Sequence, residues 1–355
     1  MANQTLKSIK NVAVVCGGVS SEHEISCVSA GSIMQAIDKT LFNPILIGIT
    51  KSGRWKLLPA DTKFEITGTG ANAKLPHISE EVNNENEIFW SRKGAFVNGK
   101  NLEIDVAFPI LHGPFGEDGT IQGLFEMWSI PYVGSKVLAS AICMDKSFAK
   151  AIFSAAGLKT VPGTVTTNTE VEIPSSITYP LFVKPARGGS SRGTIKVKSA
   201  AELKSAISNA SQFDRKVLVE QAIKATEIEC AILESGGKYW VSNPGQIKLA
   251  EKYEFYDFEA KYLDGATTVI APAELPLEKS EEIKSFALKA FRALGCSGLA
   301  RVDFFYTNDG QIFINELNTL PGFTSTSVYP KLMSKIGITY KQIITELING
   351  AKNSR

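Results

Sequence analysis

The chain reads as an α/β protein, and three observations carry that reading. Near the N-terminus, short apolar runs alternate with stretches of helical spacing. Two of those runs end in loops rich in Gly and acidic residues, CGGVSSE and LHGPFGEDG, where sheets of this class place their ligands. Nearer the C-terminus, Asn-Asp-Gly separates two alternating runs, a strong hairpin signal.

In chain order, NVAVVCGG predicts a buried strand closed by two glycines. SSEHEISCVSAGSIMQAIDK then sets Ile25, Val28, Ile33, Met34 and Ile37 at helical spacing, with Ser21 and Glu24 spaced as a capping box. NPILIGIT and DVAFPIL (105–111) follow as strands of a largely parallel sheet. The pattern changes from about residue 135. Asp145 is placed to cap KSFAKAIFSAAG, which stops at Gly157. YPLFVKPARGGSSRGTIKV is a Gly/Ser loop between two strand-like runs, followed by the helix SAAELKSAISNA. KVLVEQ opens a region of strands and long loops, and TYKQIITELINGAK closes the chain as an amphipathic helix.

At 355 residues the chain has length for two or three domains. A formal charge of +2 offers no electrostatic reason for nucleic acid or an anionic membrane as partner. No run approaches the ~20 apolar residues of a membrane span, and the start MANQTLKSIK lacks the pattern of a secretory signal. The five cysteines (Cys16, Cys27, Cys143, Cys230 and Cys296) sit in apolar surroundings, which predicts reduced thiols in a cytosolic protein. With three histidines, His23, His77 and His112, a zinc site is not expected. Any metal should be a hard cation held by carboxylates.

The hairpin ARVDFFYTNDGQIFINELN (300–318) supplies such carboxylates. With Asp309-Gly310 as a two-residue turn, Asp303 faces Glu316 and Arg301 faces Asn318, all on one side, while Val302, Phe304, Phe313 and Leu317 form the core side. Two opposed carboxylates repel, and a divalent cation would turn that repulsion into a site. The alternative is a polar outer face whose acids pair with Arg301. VKPARGGSSRG (183–193) can wrap phosphate oxygens with backbone N–H groups, Lys184 and Arg187 adding positive charge, or it can be an ordinary surface hairpin. No P-loop or dinucleotide-binding pattern occurs. FYDFEAKYLDG (255–265) is either a mobile lid or a solvated connection. Glu22 at the start of a helix and His112 at a strand end have equally plain structural readings.

Taken together, GGVSSEHEIS (17–26), HGPFGEDGTIQG (112–123), MDK (144–146), VKPARGGSSRG, VLVEQ (217–221), EAKY (259–262), RVDF (301–304) and NELNTLPGFTSTS (315–327) resemble, in order, the motifs of the D-alanine–D-alanine ligases, of the ATP-grasp superfamily. The resemblance runs over nearly the whole chain. It implies a three-domain α/β (α+β) architecture: a Rossmann-like N-terminal domain (1–134), a central domain with a Gly/Ser flap (135–220), and a C-terminal domain with lid and metal site (221–355). ATP would be gripped between the last two.

Residue by residue, the resemblance implies that Glu22 holds the ammonium of the first D-alanine and joins Ser190 and Tyr262 in a set closing the site. Lys146, Lys184 and Lys261 would reach the ATP phosphates under a flap of Gly189, Ser190 and Ser191. Glu220, Gln221 and Glu227 would lie on the adenine and ribose side. Asp303, Glu316 and Asn318 match ligands of two Mg²⁺ or Mn²⁺ ions, and Arg301 would stabilise negative charge on the intermediate. His112, Gly322 and Ser327 fall on the substrate side. The resemblance further implies a cytoplasmic homodimer making the dipeptide for peptidoglycan. Departures are Gln221 where some relatives carry Lys, Arg192 in the flap where many carry an apolar residue, and Val328 where some carry Leu. A D-alanine–D-serine ligase would keep every nucleotide and metal residue, and a regulatory module that binds nucleotide without turnover would need none of Glu22, Ser190, Tyr262 and Arg301.

Overall fold

The computed structural model describes residues 9–68, 74–169, 171–189, 191–249 and 267–351. Ser190, Lys261, Tyr262 and the whole 255–265 segment lie outside these residues.

Strand β1 (Lys10–Gly17), helix α1 (His23–Ala36) and strand β2 (Phe42–Ile49) form the first strand–helix–strand unit, with β1 and β2 parallel. β3 (Trp55–Leu57) turns back on β2. β4 (Ile88–Ser91), β5 (Gly94–Val97) and β6 (Lys100–Asn101) form a separate antiparallel meander that sequence pattern does not announce. β7 (Val106–Pro109) returns parallel to β1, so the sheet order is β3-β2-β1-β7. Central β1 is covered on both faces, which is why it reads as one apolar run: Val12 to Cys16 are fully buried. At its end Gly17 takes φ +87°, and a Cβ there would lie 2.3 Å from the Ile49 carbonyl oxygen, so only glycine turns the chain into the next loop.

Helices α2 (Thr120–Met127), α3 (Val137–Met144) and α4 (Lys146–Ala155) lead to the second sheet. Asp145 caps α4 as its position predicts, accepting from the N–H groups of Ser147 and Phe148. β8 (Gly163–Thr166), β9 (Leu181–Pro185), β10 (Ile195–Val197), α5 (Ala200–Ala210) and β11 (Val217–Gln221) follow, with strand order β10-β9-β11-β8, all antiparallel. Alternation sorts the two faces. Leu181, Val183, Val217 and Val219 pack with Leu203, Ile207 and Ala210 of α5. Phe182, Lys184 and Glu220 line a cavity on the other side.

The third sheet contains β12 (Ala225–Ser235), β13 (Lys238–Val241), β14 (Gly245–Leu249) and β15 (Thr267–Ile270). After α6 (Leu277–Ala293) come β16 (Leu299–Thr307) and β17 (Ile312–Asn318), then α7 (Val328–Lys335) and α8 (Tyr340–Gly350). Its order is β15-β14-β12-β16-β17, with β13 beside β12. Ile228, Cys230, Ile232, Val302 and Phe304 bury one face under Ile283, Ala287 and Phe291 of α6. The opposite face is apolar where Ala231, Leu233 and Leu299 pack with residues of α7 and α8, and polar farther along, where it borders open cavities.

Three local expectations are corrected. The hairpin turn is three residues, Asn308–Gly310, because Tyr306 pairs with Ile312 and the Thr307 N–H bonds to the Gln311 carbonyl. A bulge between Asp303 and Phe304 absorbs the difference, so Asp303 still faces Glu316 and Arg301 still faces Asn318. The bulge also moves Phe313 off the core face, which Ile312 and Ile314 fill instead. Ser21 does not cap α1: Glu22 holds the N-cap position without a side-chain cap, and the Ser20 hydroxyl accepts from the Glu22 N–H.

The first sheet and the C-terminal helices share one core in which Val12, Val14 and Phe108 meet Phe323, Tyr329, Met333 and Ile343. The fully buried Phe323 ring lies 5.9 Å from Phe108, 5.9 Å from Tyr329 and 5.3 Å from Tyr340. Phe323→Ala should destabilise the protein by about 3–5 kcal/mol, read as a lowered urea midpoint. A cost below ~1 kcal/mol would mean this joint holds nothing together.

Candidate active site between the sheets

The charged face of the third sheet follows from strand register. Arg301 lies opposite Asn318 and Asp303 opposite Glu316, while Glu229 of β12 lies opposite Asp303 on its other flank. The guanidinium of Arg301 grips Asp303 by two 2.7 Å bonds, Nε to Oδ1 and Nη2 to Oδ2, and its Nε also lies 3.2 Å from Glu229 Oε2. Asn318 donates to Asp303 Oδ2 at 3.0 Å. The second acid, Glu316, has Oε2 3.1 Å from Lys146 Nζ. Each member of the facing pair is thus met by a cation. Two carboxylates and an amide oxygen, with no histidine or cysteine lining the larger cavity with Asp303 and Glu316 among the described residues, still suit a hard divalent ion.

Glu229 is 3% exposed and was not among the residues singled out by pattern. Its signal is the period-two pair Glu227-Ile228-Glu229, which gains meaning once β12 is known to pair with β16.

Across the cleft, helix α4 and the second sheet offer lysines. Lys146, the first residue of α4, donates to the Gly188 carbonyl at 2.7 Å as well as reaching Glu316. Glu220 is enclosed by two ammonium groups, Lys184 at 2.6 Å and Lys150 at 2.7 Å. Burial pushes the Glu220 carboxyl up, but Lys184 and Lys150 outweigh it and hold it at about 2. Gly163 permits that packing, since a Cβ there would lie 2.8 Å from the Val219 carbonyl oxygen and 2.9 Å from Glu220 Cγ. Arg187 is a correction: it forms a bidentate pair with Asp214 (3.1 and 2.9 Å) and anchors the loop base instead of facing the cleft. Arg192, by contrast, lines the cavity.

Two cavities meet here. The larger, about 670 Å³, lies between the second and third sheets and is lined by Lys184, Ser191, Glu220, Gln221, Glu227 and Asp303 among others. The smaller, about 350 Å³, is lined by Glu22, His112, Gly189, Arg301, Asn318, Gly322 and Ser327 among others. Lys146, Gly188 and Glu316 border both. Arg187 apart, every described residue expected in the site lines one cavity or the other.

Glu22 sits against the glycine loops: a Cβ on Gly189 would lie 3.1 Å from its Oε2, and one on Gly113 3.0 Å. His112 is buried with both ring nitrogens engaged, Nδ1 3.1 Å from the Leu320 carbonyl and Nε2 3.2 Å from the Ser29 hydroxyl. A carbonyl only accepts, so Nδ1 carries the proton and Nε2 accepts from Ser29. Burial holds this imidazole below the usual histidine range, so it is neutral and ties the 320 loop to α1 beside the cavity. The Ser327 hydroxyl accepts from the Thr324 N–H at 3.0 Å, fixing the turn into α7.

This geometry, two antiparallel sheets closing on a cleft with lysines on one wall and facing acids on the other, is that of the ATP-grasp fold. A model of the D-ala D-ala ligase N-terminus matches residues 11–135, and one of the D-ala D-ala ligase C-terminus matches residues 153–349. The D-alanine--D-alanine ligase of Caldicellulosiruptor bescii is 46% identical over 95% of this chain and 94% of that protein. That of Arthrobacter sp. (strain FB24) is 44% identical over 97% of this chain and 94% of that protein. Among solved structures, the VanG D-Ala:D-Ser ligase from Enterococcus faecalis superposes with TM-score 0.81 at 36% identity, over 96% of this chain and 99% of that one. The D-alanine-D-alanine ligase from Coxiella burnetii gives 0.79 at 30%, over 96% and 95%. The chain belongs to the D-alanine–D-alanine ligase family.

Glu117, in the loop after His112, accepts from the Gly113 N–H at 2.6 Å. Burial and the nearby Glu22 charge push its carboxyl up to about 8. A raised folded value means the folded state keeps a proton that the unfolded chain releases near 4.5, so stability is lost as pH rises between those values. The melting temperature of Glu117→Gln relative to the unsubstituted protein should therefore climb from about pH 5 to about pH 8 and then level off. A difference independent of pH would refute this assignment.

Proposed function

We propose that the protein joins two molecules of D-alanine into D-alanyl-D-alanine at the expense of ATP, for a cell-wall precursor. The observation that carries this reading is the junction of the two cavities at Lys146 and Glu316 in a member of this family. A nucleotide in the larger cavity would bring its terminal phosphate to that junction, and an amino acid in the smaller one would bring its carboxylate.

In this reading Glu22 takes the ammonium of the first D-alanine, and Gly322 and Ser327 take the carboxylate of the second. Lys146 and Lys184, with Lys261, contact phosphates beneath Gly189, Ser190 and Ser191, while Glu220, Gln221 and Glu227 receive adenine and ribose. The first carboxylate attacks the γ-phosphorus, forming an acyl phosphate and releasing ADP. The amine of the second D-alanine attacks the acyl carbon, losing a proton, and inorganic phosphate leaves. Arg301, held by Glu229 even when Asp303 is engaged elsewhere, offsets the charge that develops on the acyl oxygen. Asp303, Glu316 and Asn318 would hold divalent metal, Mg²⁺ or Mn²⁺ as two ions, which neutralises phosphate charge. Closure of the 255–265 segment over the flap, with Tyr262 and Ser190 joining Glu22, would keep water from the acyl phosphate. We read residues 1–134, 135–220 and 221–355 as the working units of a cytoplasmic homodimer.

The test is phosphate release from ATP and Mg²⁺ with D-alanine alone, with the product identified by mass, then in competition with D-serine. Phosphate matched by D-alanyl-D-alanine is expected. A mixed product would shift the second-site assignment toward the D-serine class that the Enterococcus neighbour represents, and nucleotide binding without phosphate release would sink the ligase reading. Glu316→Gln should lose about 100-fold or more in turnover while remaining folded. An unchanged rate and Mg²⁺ dependence would remove Glu316 from the metal site.

A further inference from the structure

Glu220 carries more positive charge than a single carboxylate needs. Both of its oxygens end on lysines, yet only Lys184 borders the cavity with it; Lys150 is not among the residues lining that space. Lys150 comes from α4, one helical turn after Lys146, and is 9% exposed. Its ammonium meets no neutral acceptor among the described residues, and it is ion-paired with Glu220. Burial lowers the Lys150 ammonium and Glu220 counteracts it, so its charge depends on that carboxylate.

We propose that Lys150 is a positioning residue that keeps Glu220 neutralised, so that Lys184 can leave Glu220 and bind nucleotide phosphates. The inference rests on the nucleotide assignment of the larger cavity. A buried carboxylate stripped of every cation is strongly unfavourable. With one lysine, Glu220 and the phosphates would compete for it, and nucleotide binding would have to strip Glu220 bare. With two, one stays while the other moves, and the staying one must be the lysine that cannot reach the ligand. Lys150 occupies that position: it acts on nucleotide through Glu220 and not by contact.

The experiment is calorimetric binding of a non-hydrolysable ATP analogue with Mg²⁺ to the full-length protein, its Lys150→Met and Lys150→Arg variants, and the same changes in a Glu220→Gln background. Lys150→Met should weaken the analogue about tenfold or more, and Lys150→Arg should restore most of the affinity. With Glu220→Gln the Met substitution should matter less than about twofold, since no charge is left to compensate. Lys150→Gln, which keeps a hydrogen bond but not the charge, should follow Lys150→Met and serves if the Met variant does not fold. The same loss in both backgrounds, or a lowered melting temperature with affinity unchanged, would overturn the proposal by making Lys150 a packing residue. Failure of the unsubstituted protein to bind the analogue would instead overturn the nucleotide assignment itself.

Discussion

The opposition of Asp303 and Glu316 across one strand pair is the constraint around which this molecule is arranged. Two carboxylates held face to face repel each other, and burial between sheets sharpens that repulsion. The face is held by Arg301, which clamps Asp303 while touching Glu229, and by Lys146, which crosses from another part of the chain to Glu316. The cations that balance the acids therefore belong to different structural units. Lys146 stands on a helix outside the third sheet and also ties down the Gly188 carbonyl.

A second consequence is that the charged network is interchangeable. Arg301, Lys146 and Lys184 each sit on an acid of the cleft, Asp303, Glu316 and Glu220 in turn. Paired in this way, the buried acids and cations of the network avoid the cost of an ion left bare. Glu229 and Lys150 supply the redundancy: both are buried ions, Glu229 on the wall of the larger cavity against Arg301 and Lys150 behind that wall against Glu220.

Much of this was legible in sequence, for reasons that differ by residue. The facing of Asp303 and Glu316 came from strand periodicity and a hairpin signal, and it holds although the turn is one residue longer than expected. The bulge between Asp303 and Phe304 shifts the register back by one residue, so the acids face each other in spite of the longer turn. The Asp145 cap was legible because capping is decided within one helical turn. The Ser21 cap was not, because Gly18 and Ser20 shape the loop before α1 and leave Glu22 at the helix start. Arg187 read as a phosphate cation since its partner Asp214 lies a helix away in sequence.

What the sequence alone determined is the local grammar: which runs are strands, where glycine must stand, that acids alternate along one strand face, and a motif order specific to one family. These depend on neighbours a few residues apart, where spacing and side-chain type suffice. Tertiary structure decided which charges neutralise which, that Glu220 holds two lysines, that His112 is locked as a neutral tie between α1 and the 320 loop, and that two cavities meet at Lys146 and Glu316. Those facts join residues separated by dozens to hundreds of positions. Burial makes them strong only after the sheets have packed, and no local pattern encodes which distant partner a buried charge will find.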